Sequence, residues 1–189
     1  MNTFDASINQ ALITLKSGGI IVYPTDTVWG IGCDATNATS VERIYNIKQR
    51  SHKKSMIILM SSEDMLRLYV ERPSELLLSE MKLSKAPTTA IFERATHLPS
   101  NLINEDGTIA IRIASDSFCR KLIEQLGRPI VSTSANVSGN PTPSLYNEID
   151  DSILSKADYV VEYAREFLEM KNPSQIIRLN EHGKLERIR

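Results

Sequence analysis

Two apolar runs, Ile20-Ile21-Val22-Tyr23 and Met56-Ile57-Ile58-Leu59-Met60, limit what this chain can fold into more than any other feature. Each is far shorter than the ~18–20 residues needed to span a bilayer. Each lacks the alternating polar positions of a strand with one wet face, so both read as strands buried on both sides. Such strands need helices above and below, and the remaining sequence supplies them. Residues 6–17 place Ala6, Ile8, Ala11, Leu12 and Leu15 at helical spacing, and Gly18-Gly19 ends that helix. Helices are also expected through Val41, Ile44, Tyr45 and Ile47 with Thr39 or Ser40 as cap, after the Ser62-Glu63-Asp64 cap, over 74–83 and over 118–126. Further strands are expected at 28–33, 88–92, 108–113, 129–131 and 159–161. A hairpin of 175–179 and 185–188 follows, about a turn at 180–183. Strands alternating with helices give the α/β class, and the hairpin implies that parallel and antiparallel pairs mix.

The 189 residues are enough for one good-sized core, and no Gly/Ser/Pro-rich linker divides them, so a single domain over 1–189 is expected. Lys and Arg number 22 against 23 Asp and Glu, a net charge of −1, which argues against a chain living mainly on nucleic-acid phosphates. Cys33 and Cys119 form no CxxC, and His52, His97 and His182 are scattered, so neither a disulfide scaffold nor a protein-held metal site is expected. The first residues are polar rather than a basic-plus-apolar leader. The expectation is a soluble, cytoplasmic protein without a membrane span.

Three segments carry unusual chemistry. Pro24-Thr25-Asp26-Thr27-Val28-Trp29-Gly30 leaves the first buried strand and crowds two hydroxyls and a carboxylate into a tight turn. It reads either as a turn capped by Asp26 on nearby backbone N–H groups or as a presentation of Thr27 to a small polar ligand. Lys48-Gln49-Arg50-Ser51-His52-Lys53-Lys54 brings Lys48, Arg50 and Lys54 together between a helix and a buried strand. It reads as a solvated cationic run at a helix C-terminus or as a phosphate site, Arg offering a planar fork and Lys a mobile point charge. Ser132-Thr133-Ser134-Ala135-Asn136-Val137-Ser138-Gly139 follows the strand at 129–131. Its small side chains let backbone approach a ligand closely, and the alternative is a plain hydrophilic loop over 132–144. No Walker A motif, Ser-His-Asp or Cys-His arrangement is present, and Cys33 and Trp29 read as packing residues.

In this order the segments resemble the TsaC/YrdC family of threonylcarbamoyl-AMP synthases, over essentially the whole chain. The family's PT[DE]TVYG turn is similar to Pro24 to Gly30, with Trp29 for Tyr. Its KxR motif is similar to Lys48-Gln49-Arg50, and its STSAN-x-SG loop matches Ser132 to Gly139 unchanged. Its late Pro-Ser-Thr resembles Pro173-Ser174-Gln175, and its final Arg resembles Arg187. The resemblance implies an open, twisted mixed sheet with flanking helices around a basic cavity. It implies condensation of L-threonine, bicarbonate and ATP, with Mg²⁺ carried by the ATP, to threonylcarbamoyl-adenylate and pyrophosphate. Partner transferase proteins then carry the group to a tRNA adenosine. It further implies that Thr27, Arg112, Ser134 and Ser174 serve threonine and that Lys48, Arg50, Lys54, Ser132, Asn136, Ser144 and Arg187 serve ATP. Of these, Lys48, Arg50, Ser134 and Asn136 carry the catalysis. This chain departs from the pattern at Ser51, at Ala114, at Leu59 and across Lys85-Ala86-Pro87-Thr88-Thr89, a segment of the cavity wall. Two alternatives stay open: a YciO-like paralogue of different activity, against which the intact Ser134-Ala135-Asn136 speaks, and a double-stranded RNA or tRNA binder without chemistry.

Overall fold

Both apolar runs become interior strands of one sheet. The fold is known from a computed structural model that describes residues 3–52, 55–166 and 172–189. In chain order its elements are α1 (Thr3–Lys16), β1 (Ile21–Tyr23), β2 (Gly30–Gly32), α2 (Ala38–Lys48), β3 (Ile57–Met60), α3 (Glu63–Tyr69), α4 (Glu75–Leu83) and β4 (Thr88–Phe92). There follow β5 (Ile109–Ile113), α5 (Ser117–Leu126), β6 (Ile130–Ser134), a 3-10 turn (Tyr146–Glu148), α6 (Asp151–Leu154), β7 (Tyr159–Val160), β8 (Gln175–Leu179) and β9 (Leu185–Arg187). The strands form one nine-stranded sheet in the order β7-β1-β2-β6-β3-β5-β4-β8-β9. Pairs β1–β7, β3–β5 and β4–β8 are parallel and the rest antiparallel, so the sheet is mixed as expected.

The two faces of the sheet are treated differently. Side chains alternate across a strand, so Ile58, Ile111, Ala90, Val131 and Ile177 share one face. They pack with Val41, Ile44 and Tyr45 of α2, Leu66 and Tyr69 of α3, and Leu77 and Leu78 of α4 in the larger core. Ile21, Tyr23, Leu59 and Ile130 lie on the other face and pack under α1 and α5 through Ile8, Leu15, Phe118, Leu122 and Ile123. Two helices cannot cover a nine-stranded sheet, and the part of this face they leave bare becomes the site.

Local details differ from the sequence reading at several places. The α1 helix starts at Thr3 rather than residue 6. Asn37, not Thr39 or Ser40, caps α2: its Oδ1 accepts from the Ser40 N–H at 3.1 Å, while the Ser40 hydroxyl donates to the Gly18 carbonyl at 2.8 Å. The β6 strand runs on through Ser134, three residues into the expected loop, because Gly30 and Ile31 pair with Ser134 and Thr133. Gly32 makes this pairing possible, since a Cβ there would lie 2.0 Å from the Val131 carbonyl oxygen. The 3-10 turn and α6, too short to show a period, were not expected. Ser62 caps α3 as expected, and Ser74, expected as the first residue of its helix, is the cap of α4. Among the described residues no helix is long and apolar enough to cross a membrane.

Candidate active site

Cross-strand partners lie on one face, so the register identifies the floor of the site. Ser132 opposes Ile57, Ile57 opposes Ala110 and Ala110 opposes Ile91. One step along, Arg112 opposes Thr89, and Thr89 opposes Ile176. Above this floor is a cavity of about 240 Å³. The hydroxyls of Thr25, Thr27, Ser132, Ser134 and Ser174 line it, and so do Arg50, Arg112 and Arg189. These arginines are the only charged groups among the described lining residues. The chain as a whole carries −1, yet three of its 22 Lys and Arg side chains meet on this wall, which makes the cavity locally basic. The expected basic cavity is thus present.

The KxR segment divides into two roles. Lys48 is the last residue of α2, and Gln49 after it takes the left-handed conformation at φ 50°. That reversal ends the helix and turns the chain at Arg50 away from the helix axis, and Lys48 and Arg50, two residues apart, do not share a face. Arg50 lines the cavity, with Nη2 donating to the Ser55 carbonyl at 2.7 Å. Partial burial holds its guanidinium below the usual value. Lys48 does not line the cavity. The residue is 1% exposed, and its ammonium donates to the carbonyl oxygens of Ser134 and, at 2.7 Å, of Asn136. Its own carbonyl accepts from the Ser138 N–H at 2.8 Å. Burial first, and the Arg50 charge second, lower the Lys48 pKa from 10.5 to about 7. Lys48 is therefore a clamp on the Ser134–Ser138 backbone, where phosphate contact was expected. Asn136 also sits behind the wall: its Oδ1 accepts from the Ser134 hydroxyl and its Nδ2 donates to the Asn140 carbonyl at 2.7 Å.

In the Pro24–Gly30 turn, Thr25 does the local capping, accepting from the Thr27 N–H at 3.0 Å and donating to the Val28 carbonyl at 2.7 Å. The two threonine hydroxyls lie 3.0 Å apart. Asp26 instead reaches across to the β5–α5 connection, where the Ser115 hydroxyl donates to it at 2.8 Å. Its other oxygen stands 3.1 Å from Nη2 of Arg112, an ion-pair contact without hydrogen-bond alignment. Both side chains are almost fully buried, 5% and 7% exposed, and Arg112 Nε has no hydrogen-bond partner among the described residues. A buried, under-satisfied guanidinium on a cavity wall is a waiting anion site.

At the far edge, Thr89 and Ser174 share a buried hydroxyl–hydroxyl bond of 2.8 Å. Arg187, expected to serve ATP, is paired with Ile177, whose side chain belongs to the opposite core. It bonds the Gln175 side chain and does not line the cavity. Arg189 lines it instead. Ser144 is not on the wall either; its N–H is held by Glu148 at 2.7 Å. Lys54 lies outside the described residues. Of the expected residues, then, Thr27, Arg50, Arg112, Ser132, Ser134 and Ser174 converge on the cavity, while Lys48, Asn136, Ser144 and Arg187 do not reach it. Sequence reasoning missed Thr25, Ser55, Thr142 and Arg189. Thr25 was discoverable from the turn it shares with Thr27; Arg189 was not. No group of three or more His, Cys, Asp or Glu able to hold a metal occurs among the described residues.

A family model named Sua5_yciO_yrdC and described as "Telomere recombination" matches residues 14–189. The threonylcarbamoyl-AMP synthase of Xanthomonas euvesicatoria pv. vesicatoria is 34% identical over 162 residues, 82% of this chain and 84% of its own. Among solved structures, P. abyssi Sua5 complexed with L-threonine superposes with a TM-score of 0.83 at 26% identity, over 96% of this chain. This chain spans only 53% of that Sua5 protein. E. coli YciO superposes with the same TM-score of 0.83 at 27% identity, covering 96% of this chain and 87% of its own.

Proposed function

The chain belongs to the Sua5/YciO/YrdC family, and from that membership and its cavity we propose that it is a threonylcarbamoyl-AMP synthase. The observation that carries the reading is a ring of hydroxyls and three arginines, without a lining acid, on the bare face of the sheet. L-Threonine's amine nitrogen attacks the carbon of bicarbonate, losing water, to give a carbamate. One carbamate oxygen then attacks the α-phosphorus of ATP, and the bond to the β-phosphate oxygen breaks, releasing pyrophosphate. No protein nucleophile is needed. The work left to the protein is to align three substrates and to stabilise charge on phosphoryl oxygens.

The residues divide accordingly. Arg112 offers a cation for the carboxylate of an amino acid, and Asp26, outside the cavity lining, holds that guanidinium from behind. Thr27 and Ser134 face the same space with hydroxyls, and Ser174 borders it. Arg50 meets the phosphates, with Ser132 beside them. Lys48 and Asn136 act through Ser134, fixing its backbone and hydroxyl. Mg²⁺ arrives on the ATP, held by phosphate and water, because the described lining provides no carboxylate or imidazole ligand. The enzyme works in the cytoplasm and hands its product to transferase proteins that modify a tRNA adenosine.

Pyrophosphate release tests the reading. Purified chain given ATP, Mg²⁺, L-threonine and bicarbonate releases pyrophosphate, and omission of any one of them abolishes it. ATP binding without such release points instead to a YciO-like activity, an alternative to which the altered Lys85–Thr89 segment, outside the described cavity lining, leaves room.

A further inference from the structure

Resting on the synthase reading above, we propose that Gln175 is a positioning residue for threonine: from behind the sheet it sets the Thr89–Ser174 hydroxyl pair at the cavity edge. Gln175 begins β8 and opposes Thr88 at the start of β4. Ile177 of the same strand packs in the larger core, so Gln175, two residues before it, lies on that face and away from the cavity. Ser174 and Thr89, each one residue removed, lie on the cavity face, where both are buried and share their bond. Every polar atom of the Gln175 side chain is engaged. Arg187 has only donors, so the amide oxygen Oε1 faces it and accepts from its Nη2. The amide nitrogen is thereby turned to the other side, where Nε2 donates to the Ser84 hydroxyl at 2.8 Å and to the Thr88 hydroxyl at 2.6 Å. Both hydroxyls donate in turn to the Ala86 carbonyl, at 3.0 and 2.9 Å. The Gln175 N–H adds a backbone bond to the Pro87 carbonyl at 3.0 Å.

Two departures from the family pattern therefore meet: the Lys85–Thr89 segment, and glutamine at 175 where the pattern has threonine. A threonine side chain carries one hydroxyl and is too short to join Arg187 to two hydroxyls of the 84–88 turn. Gln175 does so, and it cinches that turn, between the end of α4 and the start of β4, onto the terminal hairpin. The place of Thr88 fixes that of Thr89, and Thr89 fixes the Ser174 hydroxyl on the cavity wall. The altered segment and Gln175 act as one brace, and the brace keeps Ser174 in the site. Ser174 borders the space assigned to threonine. A looser brace weakens threonine equally in the ground state and the transition state, so KM rises while kcat holds.

Steady-state pyrophosphate release, with L-threonine varied at saturating ATP and bicarbonate, tests this. Gln175→Ala raises the threonine KM about tenfold and leaves kcat within about twofold. Thr88→Val removes one hydroxyl of the brace, keeps the side-chain shape and raises KM in the same direction. Combined with Gln175→Ala it adds less than its single effect, because both variants break one connection. Ile177→Val truncates a core side chain of the same strand; it lowers the urea midpoint and leaves the threonine KM unchanged. A wild-type threonine KM in Gln175→Ala overturns the proposal. So do effects that multiply in the double variant, and so does an equal KM rise in Ile177→Val, which would make lost stability the cause. A wild-type chain without threonine-dependent pyrophosphate release overturns the synthase reading and this assignment with it, whereas wild-type turnover beside an unmoved KM in the variants overturns this assignment alone.

Discussion

Replacing Lys48 by Met separates a clamp from a phosphate contact. The ammonium satisfies the carbonyls of Ser134 and Asn136 in a place almost closed to water. Methionine fills a similar volume and donates nothing. Each buried carbonyl left unmatched costs about 1–3 kcal/mol, but the variant also no longer buries an ammonium, which offsets part of that. A net loss of about 1–3 kcal/mol near neutral pH is expected. The pH dependence is more specific. Burial puts the Lys48 pKa at about 7 in the folded chain against 10.5 for the free side chain. Below pH 7 both folded and unfolded chains hold the proton, and the stability difference from Lys48→Met is flat. Between pH 7 and 10.5 the folded chain has released it while the unfolded chain still binds it, so wild-type stability rises with pH relative to the variant. Each unit of that window is worth at most about 1.4 kcal/mol. The neutral amine keeps two N–H donors for the two carbonyls, so the clamp survives. Urea denaturation of both proteins at about pH 6 and about pH 9 reads this directly. Activity falls too, about 10–100-fold in kcat/KM, because the Ser134 strand end is no longer fixed. Equal stability difference at both pH values, together with unchanged kcat/KM, would refute the clamp.

Other consequences are as concrete. Arg50→Ala lowers kcat/KM by about 10²-fold or more, the scale of one lost preorganised charge contact, and near-wild-type turnover in that variant excludes Arg50 from the phosphates. Asp26→Ala strands the buried Arg112 guanidinium and costs about 3–5 kcal/mol in chemical denaturation, with weaker threonine binding; a loss under about 1 kcal/mol means water screens the pair. L-Serine replaces L-threonine with modest discrimination, about 1–3 kcal/mol in kcat/KM for one missing methyl, and equal values for both amino acids show that no pocket wall meets the methyl.

The parts of the fold legible in the sequence are those where burial alone decides the residue type. Ile20–Tyr23 and Met56–Met60 are apolar because helices cover most of their positions on both sides, Met56 and Ile57 at the cavity excepted, and the strands appear within a residue of where those runs stand. The stretch Ser132-Thr133-Ser134 reads as a loop because its hydroxyls carry no apolar period, yet it is strand: its cavity face has no helix to bury against. The three motif segments gather around one cavity, but motif spacing does not encode backbone handedness. The left-handed Gln49 sends Lys48 inward and Arg50 outward, and a bulge at Ile188-Arg189 sends the second arginine to the cavity and keeps Arg187 from it. The first is a helix-end reversal closed by the Gln49 N–H on the Asn46 carbonyl and the Arg50 N–H on the Tyr45 carbonyl, and the second is set within the terminal hairpin; single-residue preferences determine neither.

On the synthase reading, this cavity joins threonine to AMP through a carbon taken from bicarbonate. Mass spectrometry of the nucleotide product formed from bicarbonate carrying a heavy carbon isotope tests it most directly. The expected product is an adenylate that contains threonine and the heavy carbon, formed only when ATP, L-threonine and bicarbonate are all present. A threonine adenylate without that carbon, or no adenylate from a folded chain that binds ATP, would contradict it.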